Sequence, residues 1–454
     1  MLGSVILYIR GFFTKGHPRT LLAKKNIAVS FLSKGIAMLV NFLIVPLSLS
    51  YIGKVEYGVW LVISSIIYWF SFFDIGLGNG LRNKLAEALA LNDLKKARIY
   101  ITSTFALITG IAITLFIAFT VAAQFISWNK VLNIDTIPNE YLLKIVIGVF
   151  AFFCLGFVSS TMNNILQAKQ QYATTYIINI ATQLISLAVM YILVKTTKGS
   201  LMTLSFIYAA KTPVIMLIVG IFLFSGSLNY IRPKLIYLQL KEAFPLIKLG
   251  FGFFLNQILY MILTQSSAFL VIQFFGPEEV TVYQLALKYM TIGSMLYLIV
   301  LTPFLTAFTE AYTKNDFAWI NSIMNRINYF WLLTSAFTIL LVILNKVFFK
   351  FWVGDQVIPD FSLILVMGIN AIVQTFFNKY TLFLNGIGII KLQFYVLALQ
   401  ALFFIPLSYL LYRFNFGLSS FIISQVFLSV LAGGIMFSQY RRIMNRSAIG
   451  IWNR

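Results

Sequence analysis

Long apolar runs dominate the chain, and most polar positions lie between them. Such runs recur over the whole 454-residue sequence. Because a helix needs about 20 apolar residues to cross a hydrocarbon core of roughly 30 Å, each run predicts a membrane-spanning helix. The predicted spans are 26–51, 56–77, 99–123, 141–165, 174–195, 201–224, 246–274, 281–305, 325–345, 360–384, 391–412 and 418–439. About twelve spans, an even number, place both ends of the chain on one side of the membrane.

Composition agrees with an all-α integral membrane protein. Hydrophobic residues make up 60% of the chain and charged residues only 10%, which is too few to cover a water-exposed surface. The net charge of +21 would suit nucleic-acid binding in a soluble protein, but Lys and Arg also accumulate in cytoplasmic loops. Of the 34 Lys and Arg residues, 22 fall on the N-terminal side of the predicted membrane and 8 on the other side. This bias predicts a multi-pass protein of the bacterial inner membrane with cytoplasmic termini, and no nucleic-acid partner.

The N-terminal segment 1–25 does not have the pattern of a signal peptide. Its basic residues follow the short apolar stretch 5–9 instead of preceding it. We expect a cytoplasmic segment that lies along the membrane surface. The single cysteine, Cys154, allows no intrachain disulfide, and the single histidine, His17, gives no basis for a multi-histidine metal site. The sequence therefore predicts no catalytic residue, no metal and no cofactor.

The two halves of the sequence resemble each other. A shift of 223 residues places Gly53 over Gly276, Glu87 over Glu310, and Asn92-Asp93 over Asn315-Asp316. Six spans in each half give the repeats the same membrane orientation, and such parallel repeats are typical of transporters with a substrate site between the halves. The predicted domains are a surface segment at 1–25, a six-helix lobe at 26–224, a linker at 225–245, a second six-helix lobe at 246–440 and a basic tail at 441–454.

Four lysines lie more than three residues inside the predicted spans. A cation at the bilayer centre costs about 2.5–3.5 kcal/mol, so such residues usually face a protein interior or a hydrated cavity. Lys34, Lys211 and Lys288 lie well inside their spans, whereas Lys379 lies near the inner end of the tenth span and can reach the headgroups. We expect Lys34 and Lys288 to face a hydrated cavity that binds an anionic substrate.

Polar side chains at helical spacing accompany these lysines. Asn41 shares a helix face with Lys34, Gln257 begins a polar stripe on the seventh span, and 370–381 contains a further stripe. Two interpretations stay open for these uncharged residues, because polar stripes line cavities and also form hydrogen bonds between membrane helices. The candidate substrate-binding residues are Lys34, Asn41, Asp74, Lys211, Gln257 and Lys288.

Asp74 is the only carboxylate lodged deep in an apolar run. Two roles stay open for it: a cap or turn residue before the amphipathic segment that follows, or a proton- or cation-sensitive carboxylate. The glycines after it do not form a nucleotide-binding loop, because they follow a membrane helix and the third glycine is misplaced for GxGxxG. Asp74 is therefore a candidate residue for substrate binding or ion coupling.

Several stretches together resemble the polysaccharide (O-antigen-type) flippases of the multidrug/oligosaccharidyl-lipid/polysaccharide exporter superfamily. The resemblance covers about residues 24–440. The residues that carry it are Pro46, Tyr51-Ile52-Gly53, Glu56-Tyr57-Gly58-Val59-Trp60, Asp74-Ile75-Gly76-Leu77-Gly78-Asn79-Gly80-Leu81-Arg82, Asn92-Asp93, Ala97, Asn164-Ile165-Leu166-Gln167-Ala168, Leu384-Asn385-Gly386-Ile387-Gly388 and Lys391.

The resemblance implies two six-helix lobes with alternating access to a central cavity. It also implies a substrate of oligosaccharide linked to undecaprenyl pyrophosphate, which moves from the inner to the outer leaflet for surface polysaccharide assembly. Membrane lipids and other polysaccharide-assembly membrane proteins are the implied partners, and a proton or sodium gradient is the implied coupling. Lys34 and Lys288 match the basic cavity positions that related flippases have on the first and eighth helices. The second helix departs from that pattern, because it offers Asp74 and no internal cation.

Two other functions compete with this hypothesis. A cation-coupled multidrug exporter of the same superfamily shares the architecture, but an excess of cavity lysines does not suit its cationic substrates. A membrane glycan polymerase or ligase is expected to have a large outer loop with acid and base residues, whereas the longest outer loops here, near 124–140 and 346–359, are short. The sequence favours a transporter over an enzyme.

Overall fold

The secondary structure of the described residues is entirely helical. The computed structural model describes the backbone of residues 18–72, 77–239, 241, 244–302 and 304–453, and within these ranges it does not describe the side chains of 18–31, 71–72, 79, 244–257 and 306. The helices, numbered in chain order, are α1 Pro18–Tyr68, α2 Leu77–Ala90, α3 Leu94–Gln124, α4 Trp128–Val131, α5 Asn139–Ser159, α6 Thr161–Ala168, α7 Tyr172–Thr196, α8 Leu201–Ser225, α9 Phe244–Phe275, α10 Pro277–Leu301, α11 Phe304–Thr313, α12 Phe317–Val353, α13 Phe361–Gly386, α14 Lys391–Arg413 and α15 Ser419–Met444.

The helical architecture confirms the predicted fold class. In the described part of the chain, 11 helices are long and apolar enough to cross a membrane. The first of them runs through Gly53, whose backbone (φ 79°, ψ 174°) is not helical and separates the predicted first and second spans. The two sides of Gly53, taken as separate spans, bring the total to the predicted number of about twelve.

Several helices begin before the spans that hydropathy predicted. α3 begins at Leu94 and not at 99 because the Asp93 carboxylate accepts a hydrogen bond from the Lys96 amide at 3.0 Å. α12 begins at Phe317 and not at 325 because Asp316 caps it in the same way, through the Trp319 amide at 3.0 Å. An aspartate cap satisfies amides that a helix start leaves free, so the helix extends into polar turns that a hydropathy window excludes.

The described residues fall into two compact units. The first contains the described residues within Met1–Gly53, Phe70–Val131 and Asp135–Phe254, and the second contains those within Lys54–Trp69, Leu132–Ile134 and Leu255–Arg454. The part of α1 that follows Gly53 therefore packs within the second unit. The domain boundaries drawn from the sequence stay a prediction.

The described part of the predicted linker is attached to the first unit. The Arg98 guanidinium of α3 donates to the Tyr230 carbonyl and to the Tyr237 hydroxyl, both at 2.8 Å. Ser103 and Gln239 form a reciprocal pair, in which the Ser103 hydroxyl donates to the Gln239 carbonyl at 3.1 Å and accepts from its amide at 3.0 Å. The described part of the linker therefore follows α3 as far as Gln239.

Candidate functional site

Lys34 lies on the side of α1 that faces away from its exposed leucines. Leu32, Leu39 and Leu43 are 65%, 66% and 58% exposed and form one stripe, because an α-helix turns by about 100° per residue. The same spacing places Lys34 on the opposite side, where it is also exposed. A leucine stripe suits contact with lipid, whereas a cation at membrane depth needs water or an anion. This geometry favours a hydrated surface at Lys34.

Asn41 and Ser48 continue the side of α1 that carries Lys34. The half-buried Asn41 amide donates to the backbone one turn earlier, at 2.8 Å. Ser48 is fully buried and shares a 2.7 Å hydrogen bond with the Tyr208 hydroxyl of α8. The polar side of α1 therefore changes along its length from an exposed cation to a buried hydrogen bond between helices.

Lys211 of α8 contacts the same tyrosine. Its Nζ atom lies 5.1 Å from the centroid of the Tyr208 ring, and its side chain is half-buried. A cation over an aromatic face is stabilised by the ring quadrupole. Tyr208 thus contacts both Ser48 and Lys211 within the first unit. Sequence reasoning did not single out Tyr208, although its position three residues before Lys211 is a usable signal.

Lys288 lies on the least buried side of α10, in the second unit. Helical spacing places Gln284, Thr291 and Met295 on the same side, and of these Thr291 is exposed. The Thr291 hydroxyl donates to the Leu287 carbonyl at 2.8 Å, so its own hydrogen-bonding need is met within the helix. Tyr289, next to Lys288, is fully buried. Lys288 therefore lies on the polar side of α10, and the opposite side of this helix is buried.

Two of the predicted site residues cannot be placed. Asp74 lies outside the described residues, and Gln257 belongs to α9 but its side chain lies outside the described ones. The two roles considered for Asp74 and the cavity position of Gln257 stay predictions. Of the six candidates, the first unit contains Lys34, Asn41 and Lys211, and the second contains Lys288.

Lys379 is a buried cation whose environment the sequence did not predict. Its side chain is 0% exposed, which excludes the alternative that it reaches the headgroups. Its Nζ atom donates to the Asn328 side-chain oxygen of α12 and lies 3.7 Å from the centroid of the Phe376 ring. The Tyr380 and Trp331 ring centroids lie 5.0 and 5.6 Å away. Three aromatic rings and one amide therefore hold this ammonium inside the second unit.

Polar residues of the 370–381 stripe join helices of the second unit. The Gln374 amide donates to the Asn370 side-chain oxygen at 3.3 Å, and the Asn370 amide donates to the Gln425 side-chain oxygen at 3.4 Å. Gln425 in turn donates to the Ser267 hydroxyl at 3.3 Å and to the Leu263 carbonyl at 3.2 Å. For Asn370, the interpretation as a hydrogen bond between membrane helices is confirmed, and Gln425 is its partner.

Comparison with known proteins assigns the chain to a family. Residues 23–309, more than half of the sequence, match the family model described as polysaccharide biosynthesis protein. The chain belongs to the polysaccharide biosynthesis protein family. Together with two relatives named for O-antigen export or transport, this match confirms the resemblance to O-antigen-type flippases that the sequence motifs indicated.

Relatives of this polysaccharide biosynthesis family member are named for export. A Yersinia pseudotuberculosis protein named for O-antigen export is 22% identical over 374 residues, which cover 79% of this chain and 82% of the relative. A Salmonella typhimurium protein named as an O-antigen transporter is 22% identical over 385 residues, which cover 82% of this chain and 86% of the relative.

Solved structures show the fold of this family member in other proteins. An inward-facing MATE family transporter of the MOP superfamily aligns with a TM-score of 0.77 at 14% identity, over 90% of this chain and 95% of that one. An outward-facing MATE family transporter of the same superfamily aligns with a TM-score of 0.65 at 15% identity, over 96% and 98%. Together with the family assignment, this fold supports a multi-pass membrane transporter of the superfamily.

Proposed function

We propose that this protein is a flippase for lipid-linked oligosaccharide. It moves an oligosaccharide attached to undecaprenyl pyrophosphate from the inner to the outer leaflet by alternating access, for the assembly of surface polysaccharide. The family assignment and the names of the relatives point to O-antigen export. No covalent bond changes in this reaction, so the protein supplies binding groups and a path across the membrane.

The main support for this proposal is the position of Lys34 on the side of α1 opposite the exposed leucine stripe. A pyrophosphate is a dense anion, and a cation that is exposed at membrane depth on the side away from the apolar stripe is suited to bind it. In the part of the chain that the structure describes, Lys34 forms no hydrogen bond or ion pair, so its three donors are available to a ligand. Lys288 is proposed to supply the second cation.

A leaflet-resolved transport assay tests this function. Purified protein is reconstituted into vesicles with the host's lipid-linked oligosaccharide, and the fraction of glycan that becomes accessible in the opposite leaflet is followed over time. Lys34→Ala and Lys288→Ala are each expected to reduce the initial rate by roughly tenfold or more, since a hydrogen bond to a charged group contributes about 1.5–3 kcal/mol. Lys34→Arg is expected to keep most of the rate, because it keeps the charge.

A control variant distinguishes the loss of a cavity lysine from a general effect of removing one positive charge. Lys198 is an exposed lysine between α7 and α8, and Lys198→Ala is expected to transport at the wild-type rate. Full transport by the Lys34→Ala/Lys288→Ala double variant, with normal insertion, would contradict the role given to these cations. The same vesicles with and without a proton or sodium gradient test the proposed ion coupling, and a lipophilic cation in place of the glycan tests the multidrug alternative.

A further inference from the structure

We infer that the second unit contains a saccharide-binding subsite, formed by α9, α13, α14 and α15. A cavity of about 350 Å³ lies among these helices, and its polar wall includes Thr264, Gln374, Asn378, Gln393, Gln400 and Gln425. This volume lies near the lower end of the roughly 300–1,000 Å³ that ligand pockets occupy. The subsite rests on the proposed function, because it assigns the sugar part of the lipid-linked glycan to a place in the chain.

Charge decides which ligand class suits the cavity. Among the described residues that line it, none carries a formal charge. A pyrophosphate group would need cations to offset its desolvation, and a lipophilic cation would be expected to need a carboxylate. Amides and hydroxyls instead match sugar hydroxyls, because both partners donate and accept hydrogen bonds. The wall therefore suits an uncharged saccharide.

Some of the polar groups in the wall are held in fixed orientations. Gln425 is anchored by the Ser267 hydroxyl and the Leu263 carbonyl, and through Asn370 it orients Gln374. The Gln400 amide donates to the Leu428 carbonyl of α15 at 3.2 Å. Preorganised groups lose less conformational entropy on binding, which favours affinity.

Other groups in the wall have unused hydrogen-bonding capacity. The Gln393 side-chain oxygen is buried and has no hydrogen-bond partner among the described residues. Within the same part of the chain, the side chains of Asn378, Thr381 and Ser429 take part in no hydrogen bond. Asn378, Thr381 and Ser429 are half-buried and line the cavity, so their donors and acceptors can reach a ligand there. A saccharide in the cavity binds several of these three groups at once through its hydroxyls.

Aromatic side chains complete the resemblance to a sugar site. Phe377 of α13 and Tyr260 of α9 also line the cavity. The apolar C–H face of a sugar ring packs against such rings while its hydroxyls reach the amides at the edge. Ligand pockets commonly combine apolar walls with a few placed polar groups in this way.

Binding of a water-soluble glycan to the full-length protein tests the subsite. The host's oligosaccharide repeat, released from its lipid carrier by mild acid, is titrated into purified protein in lipid nanodiscs and followed by saturation-transfer NMR and equilibrium dialysis. Wild-type protein is expected to bind it. The double variant Asn378→Leu/Gln400→Leu is expected to raise the dissociation constant by about tenfold or more, since it removes the hydrogen-bonding groups of two side chains.

A matched substitution controls for the loss of a membrane amide. Gln183 lies on α7 in the first unit, and its side-chain oxygen is also buried without a partner in the described residues. Gln183→Leu is therefore expected to bind the glycan as the wild type does. Thr381→Val, which keeps the shape of the side chain, replaces the double variant if the latter does not purify as a monodisperse protein.

The outcomes separate the subsite from the proposed function. The subsite would be overturned if Asn378→Leu/Gln400→Leu and Thr381→Val both bind the glycan with wild-type affinity. It would also be overturned if the wild type binds no glycan. In either case the cavity would hold only water. Wild-type protein that flips lipid-linked glycan in the vesicle assay keeps the proposed function in either case. Failure of the wild type to flip it would overturn the function, and the subsite with it.

Discussion

Gly53 and Gly276 share one rare backbone conformation although 223 residues separate them. Their φ/ψ values are 79°/174° and 84°/174°, in a region that only glycine occupies without strain. Gly53 lies between the two spans of α1, and Gly276 lies between α9 and α10. The same shift relates Asn92 to Asn315, whose φ values are 55° and 56°. The internal repeat is therefore present in the backbone as well as in the sequence.

Alanine at either glycine is expected to destabilise the protein by a similar amount. A Cβ atom at Gly53 or Gly276 would meet no atom within 4 Å, so the cost is conformational and amounts to about 1–3 kcal/mol. The unfolding free energy of Gly53→Ala and Gly276→Ala, measured by dodecyl sulphate titration, checks this. Gly110 lies inside α3 and also has open space, so Gly110→Ala serves as the control and is expected to be neutral or stabilising by up to about 1 kcal/mol. A neutral Gly53→Ala would argue against the strained turn.

Gly58 is expected to tolerate no side chain for a steric reason. Its Cβ position lies 1.8 Å from the Pro277 carbonyl oxygen and 3.0 Å from the Thr281 hydroxyl, so alanine would force α1 and α10 apart within the second unit. The Thr281 hydroxyl also donates to the Lys54 carbonyl at 2.7 Å, and this bond would lengthen. Overpacking of this kind costs about 1–3 kcal/mol. Gly58→Ala should therefore unfold at a lower temperature than Gly110→Ala, and equal midpoints would contradict the close contact.

The two aspartate caps give a third expectation. Asp93 and Asp316 each accept a hydrogen bond from a backbone amide in the first turn of their helix, at 3.0 Å. Replacing such a cap by alanine costs about 0.5–2 kcal/mol, whereas asparagine or serine keeps most of the stabilisation. Asp93→Ala and Asp316→Ala are expected to lower the thermal midpoint by similar amounts, and the corresponding asparagine variants by much less. If asparagine is as damaging as alanine at both positions, the capping explanation is wrong.

The sequence predicted the number of spans because a membrane helix must be apolar over its whole length. It predicted the repeat because Gly53 and Asn92 have constrained backbones that few residues tolerate. It did not predict the starts of α3 and α12, since a cap at Asp93 or Asp316 acts through geometry and not through hydropathy. It also missed Tyr208, whose contact with Ser48 depends on how α1 and α8 pack.

The burial of Lys379 shows a further limit of sequence reasoning. Distance from the end of a span suggests that a lysine can reach the headgroups, but the direction of its side chain depends on neighbouring helices. Lys379 is enclosed because Asn328 and Trp331 of α12 come next to it. By contrast, the spacing within α1 was enough to place Lys34 and Asn41 on one side.

The Lys379–Asn328 pair is expected to be energetically coupled. Lys379→Met removes the ammonium and leaves the Asn328 oxygen without its partner, at a cost of about 1–3 kcal/mol. Adding Asn328→Leu removes the unpaired oxygen as well and should recover part of that loss, because a buried polar pair can often be replaced by apolar groups. The double-mutant cycle, measured as unfolding free energies, is expected to give a coupling of about 0.5–3 kcal/mol. Additive effects within about 0.3 kcal/mol would show that the two residues act independently.

Gly433 and Gly434 offer the sharpest comparison, because they are neighbours on α15 with opposite surroundings. The Cβ position of Gly433 lies 2.0 Å from Cγ of Phe377, a residue of the cavity wall, whereas that of Gly434 meets nothing within 4 Å. Gly433→Ala must displace the Phe377 ring, and overpacking should lower the unfolding free energy by about 1–3 kcal/mol. Gly434→Ala should be neutral or stabilising by up to about 1 kcal/mol, since alanine has a higher helix propensity than glycine.

Because Phe377 lines the proposed saccharide subsite, Gly433→Ala should also weaken glycan binding, whereas Gly434→Ala should leave it unchanged. Equal stability and equal binding in the two variants would mean that the ring can move without consequence, and Phe377 would then have no role in shaping the cavity.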